Sequence, residues 1–169
     1  MKALYIGRFQ PFHNGHLKII KESSKKYDEI IIGIGSSQYS NTLENPFTSE
    51  ERKLMIKKTL DDNNISNYRI VELPDIHNFP KWVNHVLSIV SNFDVVISNS
   101  PITIKLFSDK GFVIEKTPIY NRELFSGEKI RKKIINDEPW KNSIPKPVYK
   151  IIKKINGVSR INKLNKEAN

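Results

Sequence analysis

From Gly7 to His16 the chain reads Gly-Arg-Phe-Gln-Pro-Phe-His-Asn-Gly-His. Two imidazoles stand three residues apart around Asn14-Gly15, a spacing that lets both point one way where a helix opens. Arg8 adds a permanent cation whose fork of donors matches phosphate oxygens. Together these groups could hold a polyphosphate without a lysine-type P-loop. A single histidine near a helix start is more often a cap or a buried ring. Two histidines with an arginine and a glycine in so short a stretch favour a functional reading. Phe9 and Phe12 read mainly as loop packing.

The flanks supply the elements that must position these groups. Ala3-Leu4-Tyr5-Ile6 is a short apolar run, and Leu17-Lys18-Ile19-Ile20-Lys21-Glu22 is amphipathic. The order reads as strand, tight loop, helix. Ligands of an open α/β sheet gather at the carboxyl ends of its strands. A helix N-terminus there offers unpaired N–H groups and a partial positive charge.

His13-Asn14-Gly15-His16 resembles the H-x-G-H signature of the nucleotidylyltransferase superfamily. The longer Gly7-to-His16 string resembles the archaeal-type nicotinamide-nucleotide adenylyltransferases. The resemblance implies transfer of AMP from ATP to nicotinamide mononucleotide, giving NAD and pyrophosphate. It implies ATP contacts at Gly7, Arg8, Phe9, His13, Gly15 and His16, with His16 at the α-phosphate and His13 supporting the phosphate chain. Magnesium is expected to bind mainly through the ATP phosphates and water, because it dehydrates reluctantly. No dedicated metal cage of protein ligands is expected.

The rest of the chain carries the same alternation. Glu29-Ile30-Ile31-Ile32-Gly33-Ile34 is a nearly continuous β-branched run, suited to a strand buried on both faces. The polar loop after it lets Gly35 and Ser36 approach the substrate, with adenine expected near Gly33 or Gly35. Thr48-Ser49-Glu50-Glu51 forms a capping box opening a helix to about Leu60, which accounts for Thr48 and Glu51 structurally. Pro46-Phe47-Thr48 with Glu51-Arg52 also resembles the archaeal family. Tyr68 to Leu73 reads as a third strand. Asp75, Ile76, Trp82 and Val83 follow where the resemblance implies nicotinamide recognition. Trp82 sits early in a helix at the ligand edge, where an indole can stack on a pyridinium ring.

Asp94 to Ser98 and Phe112 to Glu115 read as the last two strands. Between them, Ser98-Asn99-Ser100-Pro101 stands where the family has Ser-Gly-Asn-Pro, with Asn99 the candidate substrate contact. Tyr120 to Phe125 leads into Ser126-Gly127-Glu128-Lys129-Ile130-Arg131, which resembles the superfamily's I-S-x-T-x-x-R. Glu128 replaces the threonine. Phe125, Ser126 and Arg131 complete the expected ATP set, with Arg8 and Arg131 on the β- and γ-phosphates.

The fold expected is α/β: a Rossmann-like, doubly wound, mostly parallel five-stranded sheet. It forms one domain over residues 1–169, with a basic helical segment from about 140 and Gly157 as a helix stop. The chain has 169 residues, no cysteine and a formal charge of +10. From Lys129 onward there are 12 basic and 3 acidic residues, against 16 and 15 before it. That excess reads chiefly as solvated lysine-rich faces. No apolar run reaches membrane-span length and no signal-peptide pattern appears, so a cytoplasmic enzyme is expected. The resemblance also implies a homo-oligomer. Rival readings are a pantetheine-phosphate, FMN or alcohol-phosphate nucleotidylyltransferase and, from another class, a nucleic-acid-binding module carried by the basic tail.

Overall fold

The β-branched runs form one sheet, and its strand order places the histidine loop at a crevice. In the computed structural model, which describes residues 1–118 and 125–169, the strands are β1 (Lys2–Gly7), β2 (Glu29–Gly35), β3 (Tyr68–Leu73), β4 (Val95–Ile97) and β5 (Val113–Glu115). Their order is β3-β2-β1-β4-β5 and every pairing is parallel. The chain builds outward from β1 in one direction through β2 and β3. It then returns to β4 on the other side. The switch point lies between β1 and β4, and the loop leaving β1 opens into it.

The strand period of two sorts side chains to opposite faces. Ala3, Tyr5, Ile30, Ile32, Ile34, Val95 and Ile97 pack on one face, and Leu4, Ile31 and Val96 on the other. The first face is covered by α1 (Asn14–Ser23), α2 (Ser49–Asp62), α5 (Gly127–Ile135), α6 (Lys146–Lys154) and α7 (Gly157–Glu167). The second is covered by α3 (Phe79–Ile89) and α4 (Pro101–Ser108). Helices on both faces explain why the strands read as continuous apolar runs.

Local chemistry sets the helix ends. Thr48 caps α2, accepting from the Glu51 N–H at 3.1 Å while the Glu51 carboxylate accepts from the Thr48 N–H at 2.9 Å. Pro101 opens α4 at its first position, where a missing N–H costs nothing. The first helix stops at Ser23 rather than near Tyr27. There the Ser24 hydroxyl donates to the Lys21 carbonyl at 3.0 Å, a local bond that competes with further helix.

The basic tail is two helices of nine and eleven residues. Gly157 is not the helix stop. Asn156 takes the left-handed conformation (φ 56°) and Gly157 begins α7. A Cβ at Gly157 would stand 2.9 Å from Ile152 Cγ2 and 3.1 Å from Phe47 Cε1, so close packing demands the glycine. Arg160 forks onto Glu51 at 2.7 and 2.8 Å and donates to the Pro46 carbonyl at 3.0 Å, tying α7 to the start of α2. The tail lysines Lys146, Lys150, Lys153, Lys154, Lys163 and Lys166 are exposed. Among the described residues no helix is long and apolar enough to cross a membrane.

Candidate active site

His13 is the cap of α1 and a candidate phosphate ligand at once. Its Nδ1 accepts from the His16 N–H at 3.3 Å, and His16 Nδ1 accepts from the His13 N–H at 3.1 Å. This is a capping box built from two imidazoles. The rings stack with centroids 3.5 Å apart at 18°. Because each Nδ1 accepts a backbone N–H, a neutral ring carries its proton on Nε2. Phe9 and Phe12 wall the pair: Phe9 lies edge-on to His16 at 4.8 Å and Phe12 stacks on it at 5.5 Å. Phe9 is buried, so it fixes the imidazole and offers a ligand little surface. Gly7 makes room for it, since a Cβ there would lie 2.8 Å from the Phe9 ring.

Burial holds both rings neutral. The His13 pKa is pushed down to about 3. His16 also falls well below the ordinary value, through burial and then the neighbouring His13. The pair can therefore serve as neutral hydrogen-bond donors at pH 7 rather than as carriers of charge. Folding stability must follow. Between pH 6.5 and about 3 the unfolded chain binds a proton at His13 that the folded chain refuses, so stability falls as pH drops through that window. From pH 6.5 to 4.5 the loss from His13 alone is about 2–3 kcal/mol. Urea midpoints at pH 7.0, 6.0 and 5.5 read this out, above the range in which lowered carboxylates such as Glu51 and Glu115 lose stability of the same sign. A flat stability across that range would contradict the buried neutral pair.

The start of α5 packs against the start of α1. Gly15 has no Cβ, and one placed there would lie 3.0 Å from both Phe125 Cβ and His13 Cε1. Ser126 caps α5, its hydroxyl accepting from the Lys129 N–H at 3.5 Å. One turn on, Arg131 is buried and its Nη1 donates to the Gln10 carbonyl at 2.7 Å. Burial lowers its pKa, and the Arg8 charge lowers it further. Arg8 and Arg131 line one pocket of about 590 Å³ together with Glu44, Glu128, Lys132 and Asn165. Two guanidiniums across one pocket could hold a polyanion, although the carboxylates of Glu44 and Glu128 offset part of their charge. Glu128 turns to Lys132 at 3.0 Å, an i,i+4 pair at the surface. That answers how an acid can stand where the superfamily signature has threonine. Tyr120 to Leu124 lie outside the described residues.

A second pocket of about 360 Å³ opens beside the end of β3, lined by Asp75, Ile76, His77, Asn78, Phe79, Trp82 and Ile102. Trp82 leans edge-on to Phe107 at 5.6 Å, anchored on the core while half-exposed to the pocket. Val83 is turned into the core and is 2% exposed, so its side chain lines nothing. Asn99 stands apart. Its carboxamide donates to the Thr117 carbonyl at 2.9 Å and accepts from the Thr117 N–H at 3.1 Å, so it is spent joining the ends of β4 and β5. Gly33 is a packing glycine: a Cβ there would lie 2.5 Å from Leu73 Cδ1. Gly35 meets only ordinary contacts beside Gly7. The Ser36 hydroxyl donates to Asp75 Oδ2 at 2.7 Å.

Three residues matter more than the sequence suggested. Gln10 exchanges two hydrogen bonds of 2.9 Å with the Phe47 backbone, pinning the histidine loop to the segment before α2. Gln38 does the same with Asp75. Arg52 is fully buried. Nothing in the local sequence around them marks these three roles. Their partners lie too far along the chain to read.

Residues 4–133 match the family described as cytidylyltransferase-like. The chain is 47% identical to a nicotinamide-nucleotide adenylyltransferase of Thermoplasma acidophilum over 163 residues, covering 96% of this chain and 91% of that one. It is 49% identical to one of Methanococcus aeolicus over 165 residues, covering 98% and 95%. Its fold is similar to a crystal structure from Francisella tularensis of a bifunctional NMN adenylyltransferase/ADP ribose pyrophosphatase complexed with AMP and a manganese ion. That likeness has a TM-score of 0.80 at 26% identity, over 96% of this chain and 51% of the longer one. The chain belongs to the nicotinamide-nucleotide adenylyltransferase family, within the cytidylyltransferase-like proteins.

Proposed function

We propose that this chain transfers AMP from ATP to nicotinamide mononucleotide, forming NAD and pyrophosphate. The observation that carries the reading is the meeting of two helix starts, α1 with its imidazole pair and α5 with Arg131, at the switch point of the sheet. The 5′-phosphate of the mononucleotide is the nucleophile and is already anionic at pH 7. Its oxygen bonds to the α-phosphorus as the bond to the β-phosphate oxygen breaks, and pyrophosphate leaves. No proton has to move, so catalysis is positioning and charge stabilisation. His16 donates to the α-phosphate as charge builds there. His13 supports the chain of phosphates, and Arg8 and Arg131 hold the β- and γ-phosphates.

Magnesium, when bound, neutralises the triphosphate. The ion would be held mainly by phosphate oxygens and water, because magnesium dehydrates reluctantly. The pocket of Asp75, Ile76 and Trp82 takes the nicotinamide ring, with the indole against the pyridinium.

Incubation of the purified chain with ATP, magnesium and nicotinamide mononucleotide should yield NAD and pyrophosphate in equal amounts. Pantetheine phosphate, FMN and an alcohol phosphate should release pyrophosphate at less than about one-hundredth of that rate, since a pocket made for one ring leaves polar groups unpaired with another. Faster turnover of any of the three would replace the substrate named here.

A further inference from the structure

Arg52 is an arginine with zero exposure whose donors all go to backbone. Its Nε donates to the Thr48 carbonyl at 3.2 Å. Its Nη1 donates to the carbonyls of Arg8 and Gly35, both at 3.0 Å. Its Nη2 donates to those of Ser36, Ser37 and Tyr39 at 3.3 to 3.4 Å. Six backbone carbonyls on three segments thus converge on one guanidinium. None of those acceptors is a carboxylate. Burying a cation on neutral dipoles is costly, and burial lowers its pKa to about 10. A helix interior has cheaper ways to fill that space.

The segments it gathers explain the cost. The Arg8 carbonyl belongs to the loop that carries Arg8 and the histidine pair. Residues 35–39 run from the last residue of β2 into the loop after it, and that loop grips the next. Ser36 donates to the Asp75 carboxylate. Gln38 donates to the Asp75 carbonyl and accepts from the Asp75 N–H, both at 2.9 Å. Tyr39 contacts His77. Asp75 and His77 line the second pocket. Ser36 and His77 both hold positive φ, at 49° and 51°, a conformation that needs outside support in residues other than glycine.

We propose that Arg52 is a positioning residue that sets the triphosphate loop and the mononucleotide pocket in one register, acting on the latter through the Gln38–Asp75 latch. The substrates named rest on the function proposed above; the latch does not. Two readouts therefore separate the claims. Hydrogen exchange without substrate should quicken in segments 35–39 and 74–78 of both Gln38→Ala and Arg52→Lys, since each loses bonds that hold those loops. In assays, Gln38→Ala should raise the mononucleotide KM about tenfold with the ATP KM within about twofold. Arg52→Lys keeps the charge but not the fork, and should raise both about tenfold, the scale of loss that a small misplacement produces.

A purely structural role would lower the active fraction and leave both KM values unchanged. Unaltered exchange at 74–78 in Gln38→Ala, or a mononucleotide KM within about twofold, overturns the latch. Should Arg52→Lys fail to fold, Gln38→Ala decides, because Gln38 is exposed and its loss spares the core. If the wild-type chain makes no NAD while exchange responds as stated, the substrate assignment falls and the latch stands.

Discussion

His16→Ala should lower kcat by about two to four orders of magnitude, the effect of losing a donor aimed at developing charge. The ring is prearranged for that task. Its Nδ1 is held by the His13 N–H, its faces are walled by Phe9, Phe12 and His13, and burial keeps it neutral. Nothing has to reorganise when the α-phosphate gains charge. The alanine variant also loses half of a capping box, worth about 1 kcal/mol of stability. His16→Asn separates the two effects, because its carboxamide oxygen can accept the His13 N–H while the distant donor is gone. Both variants should be folded and slow in steady-state kinetics. Near-normal turnover in either would remove His16 from the chemistry.

Arg131→Ala should raise the KM for ATP by about ten- to a hundredfold, in line with 1.5–3 kcal/mol for a charged hydrogen bond. The mononucleotide KM should stay within about threefold. The side chain is buried and held by the Gln10 carbonyl, so its orientation is fixed without a ligand. A polyphosphate bound between Arg8 and Arg131 would relieve their mutual repulsion. Arg131→Lys should recover part of the affinity, since a point charge replaces a fork. Initial-rate measurements over an ATP range read this directly, and an unchanged ATP KM in Arg131→Ala would contradict its role.

Much of this was legible in the sequence because the decisive signals were local. A strand covered on both faces must be apolar along its covered length, and residues 30–34, Ile-Ile-Ile-Gly-Ile, carry no polar side chain. A helix that begins on Thr48-Ser49-Glu50-Glu51 announces its own cap. The histidine signature was readable for the same reason, since strand, loop and helix are contiguous. The cap reading of His13 holds: its ring accepts the His16 N–H, which fixes it at the start of α1.

What escaped the sequence depended on distant partners. Asn99 looked available for substrate until Thr117, eighteen residues on, took up its carboxamide. Gly157 resembled a helix stop, but its need is set by Ile152 and by Phe47 from another element. Val83 shares a helix turn with Trp82, yet α3 turns one side chain to the pocket and the other into the core. Arg52 stood inside a stretch already explained by its cap. Only the folded chain shows that six carbonyls need it.

The most direct measurement is a crystal structure of the chain with ATP and magnesium. The triphosphate should lie between the starts of α1 and α5, with an α-phosphate oxygen within hydrogen-bond distance of His16 Nε2 and the outer phosphates on Arg8 and Arg131. A nucleotide bound elsewhere, or phosphates that leave His16 and Arg131 untouched, would contradict the account.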